Sequence, residues 1–217
     1  MDNLINWYKN KGIDHPQNGV ELLREELGIR VKAYPDVGLY VYNYDQIESP
    51  KTDPVVMECR GLILDTHFNP VCRPLDRFFN MGEALNITEN FDITQSIAYE
   101  KVDGSLCKLY KYDGLWRVGT RGTAFAGTEN YTGRTFKDMF HEALGVVSTY
   151  HLTEVMAGFN DELTFIMEFV SPDNRIVTPY EKSEMVLLAV RHNVSGREVN
   201  DDYCQCVELF QDAGLNV

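Results

Sequence analysis

The spacing of hydrophobic and polar residues changes near residue 29 and separates a helical start from a strand-rich remainder. In LINWYKN and NGVELLREELG the apolar residues recur at helical spacing. Gly28 follows the second run at a position where helices commonly end, and Asn18 or a neighbour is a candidate for its N-cap. The pattern therefore predicts two helices within residues 1–29.

After residue 29 the residues alternate between apolar and polar and are rich in Val and Tyr, which indicates strands. IRVKAYP and GLYVYNY predict a hairpin around residues 35–38. CRGLILD and PVCRPL predict a second pair of strands around the turn-forming residues 66–69. The segment RFFNMGE is then predicted to be a loop that exposes Phe78 and Phe79.

The stretch YEKVDGSLCKLYKYDGLWRVGTRGT predicts another hairpin, because Asp113-Gly114 is a preferred two-residue turn. Pairing outward from that turn places Lys111 opposite Trp116 and Lys108 opposite Gly119. One step further it places Leu106 opposite Arg121. Lys101 and Asp103 are read as part of the same strand, two positions apart and therefore on one face. The register predicts that Lys101, Asp103 and Arg121 are near neighbours.

The last part of the chain alternates one helix with two buried strands. RTFKDMFHEALGVVSTYHL carries apolar residues at helical spacing, with Thr135 as a candidate cap. ELTFIMEFV and EMVLLAVRH are apolar on both faces, which indicates strands buried on both sides. The predicted fold is an α+β single domain over residues 1–217, with antiparallel sheets flanked by helices.

Charge and hydropathy narrow the classes of function. The formal net charge is -13, so the overall field repels nucleic acid, and such a partner would need a local basic patch or another domain. No apolar run reaches the roughly 18 to 20 residues that span a bilayer, and the first residues lack the apolar core of a signal peptide. We expect a cytoplasmic protein without a membrane partner.

Metal-ligating residues show no ligand spacing in the sequence. The five histidines are scattered, and the number of cysteines is odd, with no CxxC pair matched by a second pair. We therefore predict reduced thiols and no metal site built by the protein. The cysteines are Cys59, Cys72, Cys107, Cys204 and Cys206.

Glu168 stands inside the apolar run TFIMEFV. A carboxylate there costs several kcal/mol to desolvate unless it is paired or faces a polar cleft. A structural ion pair and a site carboxylate are both open, and the second is favoured. Asn174 and Arg175 follow the strand, at a place where loops often carry function.

Lys101 also has two interpretations. A lysine at a strand end is usually solvated, whereas a nucleophilic lysine must lose its proton, which nearby cations or a dry pocket promote. Gly104 would allow backbone to approach a ligand closely. Candidate cationic neighbours on the hairpin are Lys108, Arg117 and Arg121.

The segments ECRGLILD and RPLDRFF hold arginines whose forked donors suit phosphate oxygens, beside aromatic residues that could stack on a base. These arginines are Arg60, Arg73 and Arg77. The alternative is that they form ion pairs with nearby carboxylates. Those carboxylates are Glu58, Asp65 and Asp76.

Taken together, these motifs resemble a known superfamily. KxDG followed by a hairpin, an upstream RG and a downstream EFVSPDNRIV are similar to the covalent nucleotidyltransferases, which include polynucleotide ligases and capping enzymes. The order YNY, ECRGLILD, RPLDRFFN, EKVDGSL, MEFVSPDNRIV and LLAVRHNVSGRE resembles the bacteriophage tRNA-repair RNA ligases over residues 39–198. The resemblance implies an adenylyltransferase domain of nucleotidyltransferase (ATP-grasp-like ligase) fold, with a nucleotide-binding core at 30–200 and a nucleotide cleft between the sheets.

The resemblance also implies a reaction and its residues. Lys101 would attack the α-phosphate of ATP and hold AMP, which would pass to an RNA 5′-phosphate and be displaced by a 3′-hydroxyl. Glu168 would bind the ribose or support the metal-bound state, Arg121 would assist catalysis, and Mg²⁺ would be held by phosphates and water. The implied partners are ATP and RNA, with cleaved tRNA expected in a phage-infected bacterial cell. The implied nucleotide-binding residues are Tyr42, Arg60, Arg77, Phe79, Glu100, Asp103 and Gly104.

The sequence departs from the family pattern in two respects. Arg77 and Arg121 stand where the family usually has lysine, which keeps the charge and changes the geometry of the donors. No EGxV or KxK motif follows Glu198, so we expect a truncated C-terminal part. The chain would then be a fragment of a longer ligase, a natural short form completed by a further chain or domain, or a form that binds nucleotide or RNA without full catalysis.

Two other hypotheses stay open. One is a catalytically incomplete ligase-like module that binds nucleotide or RNA and acts with a partner. The other keeps the covalent chemistry with a different nucleotide or acceptor, as in GTP-using capping enzymes or DNA ligases, and EFVSPDNRIV disfavours it.

Overall fold

The computed structural model describes residues 2–89, 91–199 and 203–217. The side chains of Tyr203 and Cys204 lie outside the described part, so the prediction for the Cys204 thiol is not examined by it. The α-helices are α1 Asn3–Asn10, α2 Val20–Leu27, α3 Pro54–Glu58, α4 Leu85–Thr88, α5 Phe136–Leu144, α6 Thr149–Val155 and α7 Tyr203–Asp212. The strands are β1 Ile29–Tyr34, β2 Leu39–Tyr44, β3 Arg60–Asp65, β4 Pro70–Cys72, β5 Ser105–Tyr112, β6 Leu115–Thr120, β7 Leu163–Val170 and β8 Glu184–His192.

The first sheet has the order β1-β2-β3-β4 and is antiparallel throughout. Helices α1 and α2 cover one of its faces, and their apolar residues pack on its tyrosines and leucines. Helix α2 ends at Gly28 in the left-handed conformation, as predicted. Its N-cap is Gly19, without a side-chain hydrogen bond, because Asn18 belongs to a 3₁₀ turn that runs directly into the helix.

The second sheet has the order β6-β5-β7-β8 and is also antiparallel. The predicted register of its first hairpin is confirmed: Lys108 pairs with Gly119 and Lys111 with Trp116. Helices α5, α6 and α7 supply the apolar residues that cover this sheet on its outer face. The prediction of an α+β fold with antiparallel sheets and flanking helices is therefore confirmed.

Three sequence predictions about this half of the chain are wrong. The segment predicted as one helix is two, because Gly145 adopts a left-handed φ of 80° and Ser148 caps a new helix by accepting a hydrogen bond from the His151 N–H. Strand β5 begins at Ser105, so Lys101 and Asp103 precede the strand and do not share one of its faces. The Leu106–Arg121 pair is likewise not formed, since the ladder ends one position earlier.

The inner faces of the two sheets pack against each other. A small apolar cluster lies between them, with residues such as Val41 and Ile63 from the first sheet and Tyr110 from the second. Lys108 is fully buried on the same face of β5 as Tyr110 and reaches the first sheet, where its Nζ donates to the Gly61 carbonyl at 2.7 Å. The two sheets thus form a layered structure in which polar contacts accompany the apolar packing.

Three further observations concern membrane-spanning helices, metal ligands and cysteine thiols. Within the described ranges, the structure contains no helix both long and apolar enough to cross a membrane. The same residues contain no group of three or more His, Cys, Asp or Glu side chains placed to hold a metal ion. Cys59, Cys72 and Cys107 are buried thiols outside any disulfide, as predicted.

Candidate active site

Four side chains meet at one end of the two sheets, and each comes from a different part of the chain. Tyr44 is the last residue of β2, and Arg60 is the first residue of β3. Arg77 lies beyond β4, where its N–H donates to the Met57 carbonyl at 2.8 Å. Arg121 directly follows β6. Strand ends from both sheets and the segment after β4 therefore bring one tyrosine and three arginines to the same place.

The ring of Tyr44 is the centre of this cluster. The guanidinium carbon of Arg77 lies 4.2 Å from the ring centroid, and that of Arg121 lies 4.7 Å from it. These distances are typical of cation–π contacts. Burial lowers the pKa of Arg60, and the Tyr44 side chain opposes that shift while the charge of Arg121 reinforces it. Like charges that would otherwise repel are thus held around one aromatic ring.

Two of these arginines keep a hydrogen-bond donor that the described residues do not use. The Nη1 atoms of Arg60 and Arg77 are buried and have no hydrogen-bond partner among those residues. Arg77 is only 7% exposed, and within the described part of the chain neither guanidinium forms a salt bridge. A buried donor without a partner is costly, so this arrangement favours an anionic ligand.

Aromatic rings flank the two arginines. The Arg60 guanidinium lies 4.7 Å from the Phe78 ring centroid, and that of Arg77 lies 5.5 Å from the Phe79 centroid. Phe78 is 62% exposed, as predicted. Phe79 is only half-buried, so the prediction of two exposed rings is not fully met.

Glu168 faces the arginine cluster from β7. Its Oε1 accepts a hydrogen bond from the Gly104 N–H at 3.1 Å. Burial raises the pKa of Glu168, while the Gly104 N–H and the charges of Arg60 and Lys101 oppose that shift. Among the described residues Glu168 has no salt bridge, which removes the structural ion pair and leaves a carboxylate beside several cations.

Asp103 and Gly104 lie directly before β5 and fix the position of the chain there. The Asp103 carboxylate accepts hydrogen bonds from the N–H groups of Val177 and Thr178, both at 2.8 Å, which lower its pKa. A Cβ at residue 104 would lie 2.2 Å from the Phe169 carbonyl oxygen. Asp103 thus fastens the loop after β7, and Gly104 is required by a close approach to backbone.

Lys101 and Glu100 lie exposed just before this turn. The charge of Lys101 contributes to lowering the pKa of Asp103 and opposes the raised pKa of Glu168. Lys101 and Asp103 are therefore neighbours, as predicted, while Arg121 joins the group through Tyr44 and Arg60. No contact of Glu100 with the cluster is observed.

Tyr42 is not brought to the cluster. Its ring is fully buried among the residues that pack under α1 and α2, and the Tyr8 hydroxyl donates to its hydroxyl at 3.2 Å. Burial raises the pKa of Tyr42 well above its ordinary value. Sequence reasoning missed Tyr44, two residues further on the same strand. The only signal that separates the two tyrosines is that Tyr44 stands at the end of the strand.

Arg73 is not brought to the cluster either. It is 2% exposed, its Nε donates to the Asn193 carbonyl at 2.9 Å, and its Nη2 forms a salt bridge with Asp2 at 2.8 Å. The three carboxylates proposed as alternative partners bind elsewhere. Glu58 accepts from the first residues of α1, Asp65 from its own turn, and Asp76 from Arg191.

The loop after β7 is anchored by Asn174, whose Nδ2 donates to the Ser105 Oγ at 2.8 Å. Arg175 beside it is exposed. The loop is therefore attached to the first residue of β5 and leaves the Arg175 guanidinium at the surface.

This chain is similar to several known proteins. A family model described as RNA ligase matches residues 58–216. An RNA ligase of Rhodothermus phage RM378 is 30% identical over 215 residues, covering 82% of this chain and 46% of that protein. A protein of Autographa californica nuclear polyhedrosis virus named "Putative bifunctional polynucleotide kinase/RNA ligase" is 37% identical over 205 residues, covering 88% of this chain and 28% of that protein. The chain thus spans less than half the length of either relative.

A solved archaeal ATP-dependent RNA ligase is similar at 15% identity and a TM-score of 0.49, covering 91% of this chain and 51% of that chain.

Proposed function

This chain belongs to the RNA ligase family whose model matches residues 58–216, and from that premise we propose that it joins RNA ends in an ATP-dependent reaction through a covalent AMP intermediate on Lys101. The observation that carries the proposal is the arginine cluster. Arg60 and Arg77 each hold a buried donor without a partner among the described residues, and phosphate oxygens are suited to such donors.

In the proposed first step the amine of Lys101 loses its proton and attacks the α-phosphorus of ATP. A nitrogen–phosphorus bond forms, the bond from that phosphorus to the bridging oxygen breaks, and pyrophosphate leaves. An oxygen of the RNA 5′-phosphate then attacks the same phosphorus, which frees the lysine. Finally the 3′-hydroxyl of the other RNA end attacks the activated 5′-phosphate, and AMP leaves.

The cluster would stabilise the charge that develops on the phosphates. Arg60, Arg77 and Arg121 supply three positive charges from fixed positions around Tyr44, and charge held in place before the reaction is a large source of rate enhancement. Glu168, which lies near the charges of Arg60 and Lys101, is suited to accept a hydrogen bond from the ribose.

Other predicted residues take supporting roles in this proposal. The half-buried Phe79 would offer its ring to the base, and Asp103 with Gly104 would hold the loop after β7 beside Lys101. Mg²⁺ would enter as the MgATP complex, since phosphate and water oxygens suit this ion. Among the described residues no cluster of acidic or imidazole ligands would bind it independently.

The test is incubation with α-labelled ATP and Mg²⁺, followed by denaturing electrophoresis. We expect label on the wild-type chain, no label on Lys101→Ala, and undiminished label on Lys111→Ala, which removes another lysine of the same hairpin. Label that persists on Lys101→Ala would reject this lysine as the nucleophile.

An alternative function is a nucleotide- or RNA-binding module that acts with a partner. The exposed position of Lys101 favours it, because the amine is not enclosed by the arginine cluster. ATP binding without any covalent label would support this alternative and reject catalysis by this chain alone.

The finer substrate proposal is a cleaved tRNA in the cytoplasm of a phage-infected cell, which rests on the resemblance of the motifs. A tRNA cut in its anticodon loop, with a 5′-phosphate and a 3′-hydroxyl, would be sealed faster than an unstructured RNA of equal length. Equal rates would reject the preference for tRNA.

A further inference from the structure

Lys108 is a fully buried cation that the proposed reaction does not use. It lies on β5 between the two sheets, and its Nζ donates to the Gly61 carbonyl at 2.7 Å. Within the described part of the chain, no carboxylate forms a salt bridge with it. The titratable groups that act on it are the thiols of Cys72 on β4 and Cys107 on β5.

A lysine in such a place is unfavourable for folding. Burial lowers the pKa of Lys108 to about 8, which reflects the energy needed to hold an ammonium away from water. An apolar side chain of similar length would fill the same space among the surrounding apolar residues at lower cost. Because burial of this lysine is unfavourable for folding, its hydrogen bond to Gly61 indicates a role other than stability.

Gly61 lies where the backbone of the first sheet comes close to the second. It adopts a φ of 94° at an irregularity in the β2–β3 ladder, where Tyr42 pairs with Leu62 but Asn43 pairs with Arg60. A Cβ at residue 61 would lie 2.7 Å from the Arg121 carbonyl oxygen. Only glycine allows the two sheets to approach this closely with that backbone conformation.

A second hydrogen bond crosses between the sheets beside the first. The Asn43 Nδ2 donates to the Arg121 carbonyl at 3.2 Å. These two hydrogen bonds form a polar bridge that adjoins the arginine cluster, since Asn43 precedes Tyr44, Gly61 follows Arg60, and Arg121 supplies the second acceptor. The polar bridge thus underlies the cluster.

We propose that Lys108 is a positioning residue that, by binding the Gly61 carbonyl, fixes the backbone at Arg60 and aims its guanidinium at the site shared with Tyr44 and Glu168. The inference rests on the proposed function, because it gives Arg60 the task of binding a phosphate. Lys108 itself touches no substrate. It sets the position of the first sheet relative to the second next to Arg60, the residue whose guanidinium must be aligned with a phosphate.

The first test is a double-mutant cycle with Lys108→Met and Arg60→Ala, measured as the rate of lysyl-AMP formation at saturating ATP. Lys108→Met should lower this rate roughly tenfold, because small displacements of a positioned group have effects of this size or larger. In the Arg60→Ala background it should have no further effect, because the group it positions is gone. Lys111→Met is the matched control on the same strand, where the lysine pairs with Asp161 near the surface, and it should leave the rate unchanged.

Additive effects in the two backgrounds would overturn the proposal, as would a Lys108→Met rate equal to wild type. If circular dichroism shows that the Lys108→Met variant does not fold, Lys108→Gln, which keeps a hydrogen-bond donor, replaces it in the cycle. Failure of both variants to fold would assign Lys108 to stability alone and also overturn the proposal.

A second measurement needs no nucleotide and separates this inference from the proposed function. Phenylglyoxal modifies arginine, and peptide mass spectrometry gives the rate at each residue. Lys108→Met should change the rate at Arg60 several-fold and leave exposed Arg175 unchanged. If the wild-type chain forms no lysyl-AMP, the proposed function fails. The labelling still tests the role of Lys108 in that event, because an unaltered rate at Arg60 would reject the positioning role.

Discussion

Two pairs of arginines in this protein are used in opposite ways, although three of the four side chains are buried and that of Arg60 is half-buried. Arg73 and Arg191 are 2% and 4% exposed, and their donors are taken up by Asp2, Asp76 and main-chain carbonyls. Arg60 and Arg77 stack on aromatic rings, and each keeps a buried donor that has no partner among the described residues. The first pair joins distant parts of the chain, whereas the second pair leaves donors available for the anionic ligand that we propose.

The difference shows that burial of a charge does not by itself indicate a functional site. What separates the pairs is whether the protein satisfies the donors. Arg191 shares its donors between the carbonyls of Pro74 and Gly196 and the Asp76 carboxylate. The cluster at Tyr44 instead gathers like charges, an arrangement that costs stability and gains affinity for an anion.

The largest expected effect comes from removing a satisfied arginine. Arg191→Met should lower the free energy of unfolding by about 3 to 5 kcal/mol, because it leaves two carbonyls and Asp76 without their donor. Urea denaturation followed by circular dichroism measures this, with exposed Arg175→Met as the control. An Arg191→Met protein of normal stability and weakened ATP affinity would break the distinction between the two pairs.

Lys108 lies between the two pairs of arginines in how fully its donors are used, because its buried ammonium forms one hydrogen bond with the described residues. Its folded-state pKa of about 8 is below the ordinary 10.5, so between these pH values the unfolded chain binds more protons and stability rises with pH. The penalty is fully present below pH 8 and is relieved toward pH 10.5. The stability of wild type relative to Lys108→Met should therefore increase by roughly 3 kcal/mol over this range.

That comparison is made by urea denaturation of both proteins at pH 7, 9 and 10.5. Taking the difference between the two proteins removes the contribution of buried thiols and tyrosines that titrate in the same range. A constant difference across the range would show that Lys108 is solvated in solution.

Arg77→Met should weaken ATP binding by about tenfold or more, since a charge-assisted hydrogen bond contributes roughly 1.5 to 3 kcal/mol. Methionine keeps most of the apolar stem, and the loss of one of three like charges offsets the lost contact with Tyr44. The free energy of unfolding should thus change by less than about 1 kcal/mol. Isothermal titration with MgATP measures the affinity.

Arg73→Met is the control for that experiment, with the reverse pattern expected: a large loss of stability and normal affinity in the folded protein. Unchanged ATP affinity in Arg77→Met would remove Arg77 from the site.

The smallest effect is expected for Tyr44→Phe. The ring that carries the cation–π contacts stays, so only the influence of the hydroxyl on Arg60 is lost, and ATP affinity should fall by no more than about threefold. Tyr44→Leu removes the ring and should have the larger effect. If the phenylalanine variant were as weak as the leucine variant, the hydroxyl rather than the ring would hold the cluster.

Local patterns predicted much of the fold. The turn Asp113-Gly114 set the register of β5 and β6, Gly28 ended α2, and Thr135 capped α5 as expected. The same patterns failed where a local signal was overridden. Gly145 divided a predicted helix, and the hydrogen bonds of Asp103 to the loop after β7 accompany the start of β5 at Ser105.

The candidate site was only partly predictable. Motif order selected Arg60, Arg77 and Glu168, and the periodicity located β3 and β7, the strands that carry Arg60 and Glu168. It also selected Tyr42 in place of Tyr44, because alternation puts both rings on one face of β2 and cannot tell the covered part of that face from its end. The burial of Lys108 was equally hidden, since a lysine in an alternating strand reads as a solvent-facing residue.

The sequence by itself determined α1, α2 and α5, most of the register of β5 with β6, the α+β class and the family, because these depend on spacing and residue type over short distances. Only the tertiary structure decided which arginines are satisfied. A guanidinium finds its partners across the fold, as Arg73 does with Asn193 and Arg191 does with Pro74. Whether a donor is used or left for a ligand is therefore a property of the packed sheets rather than of any segment.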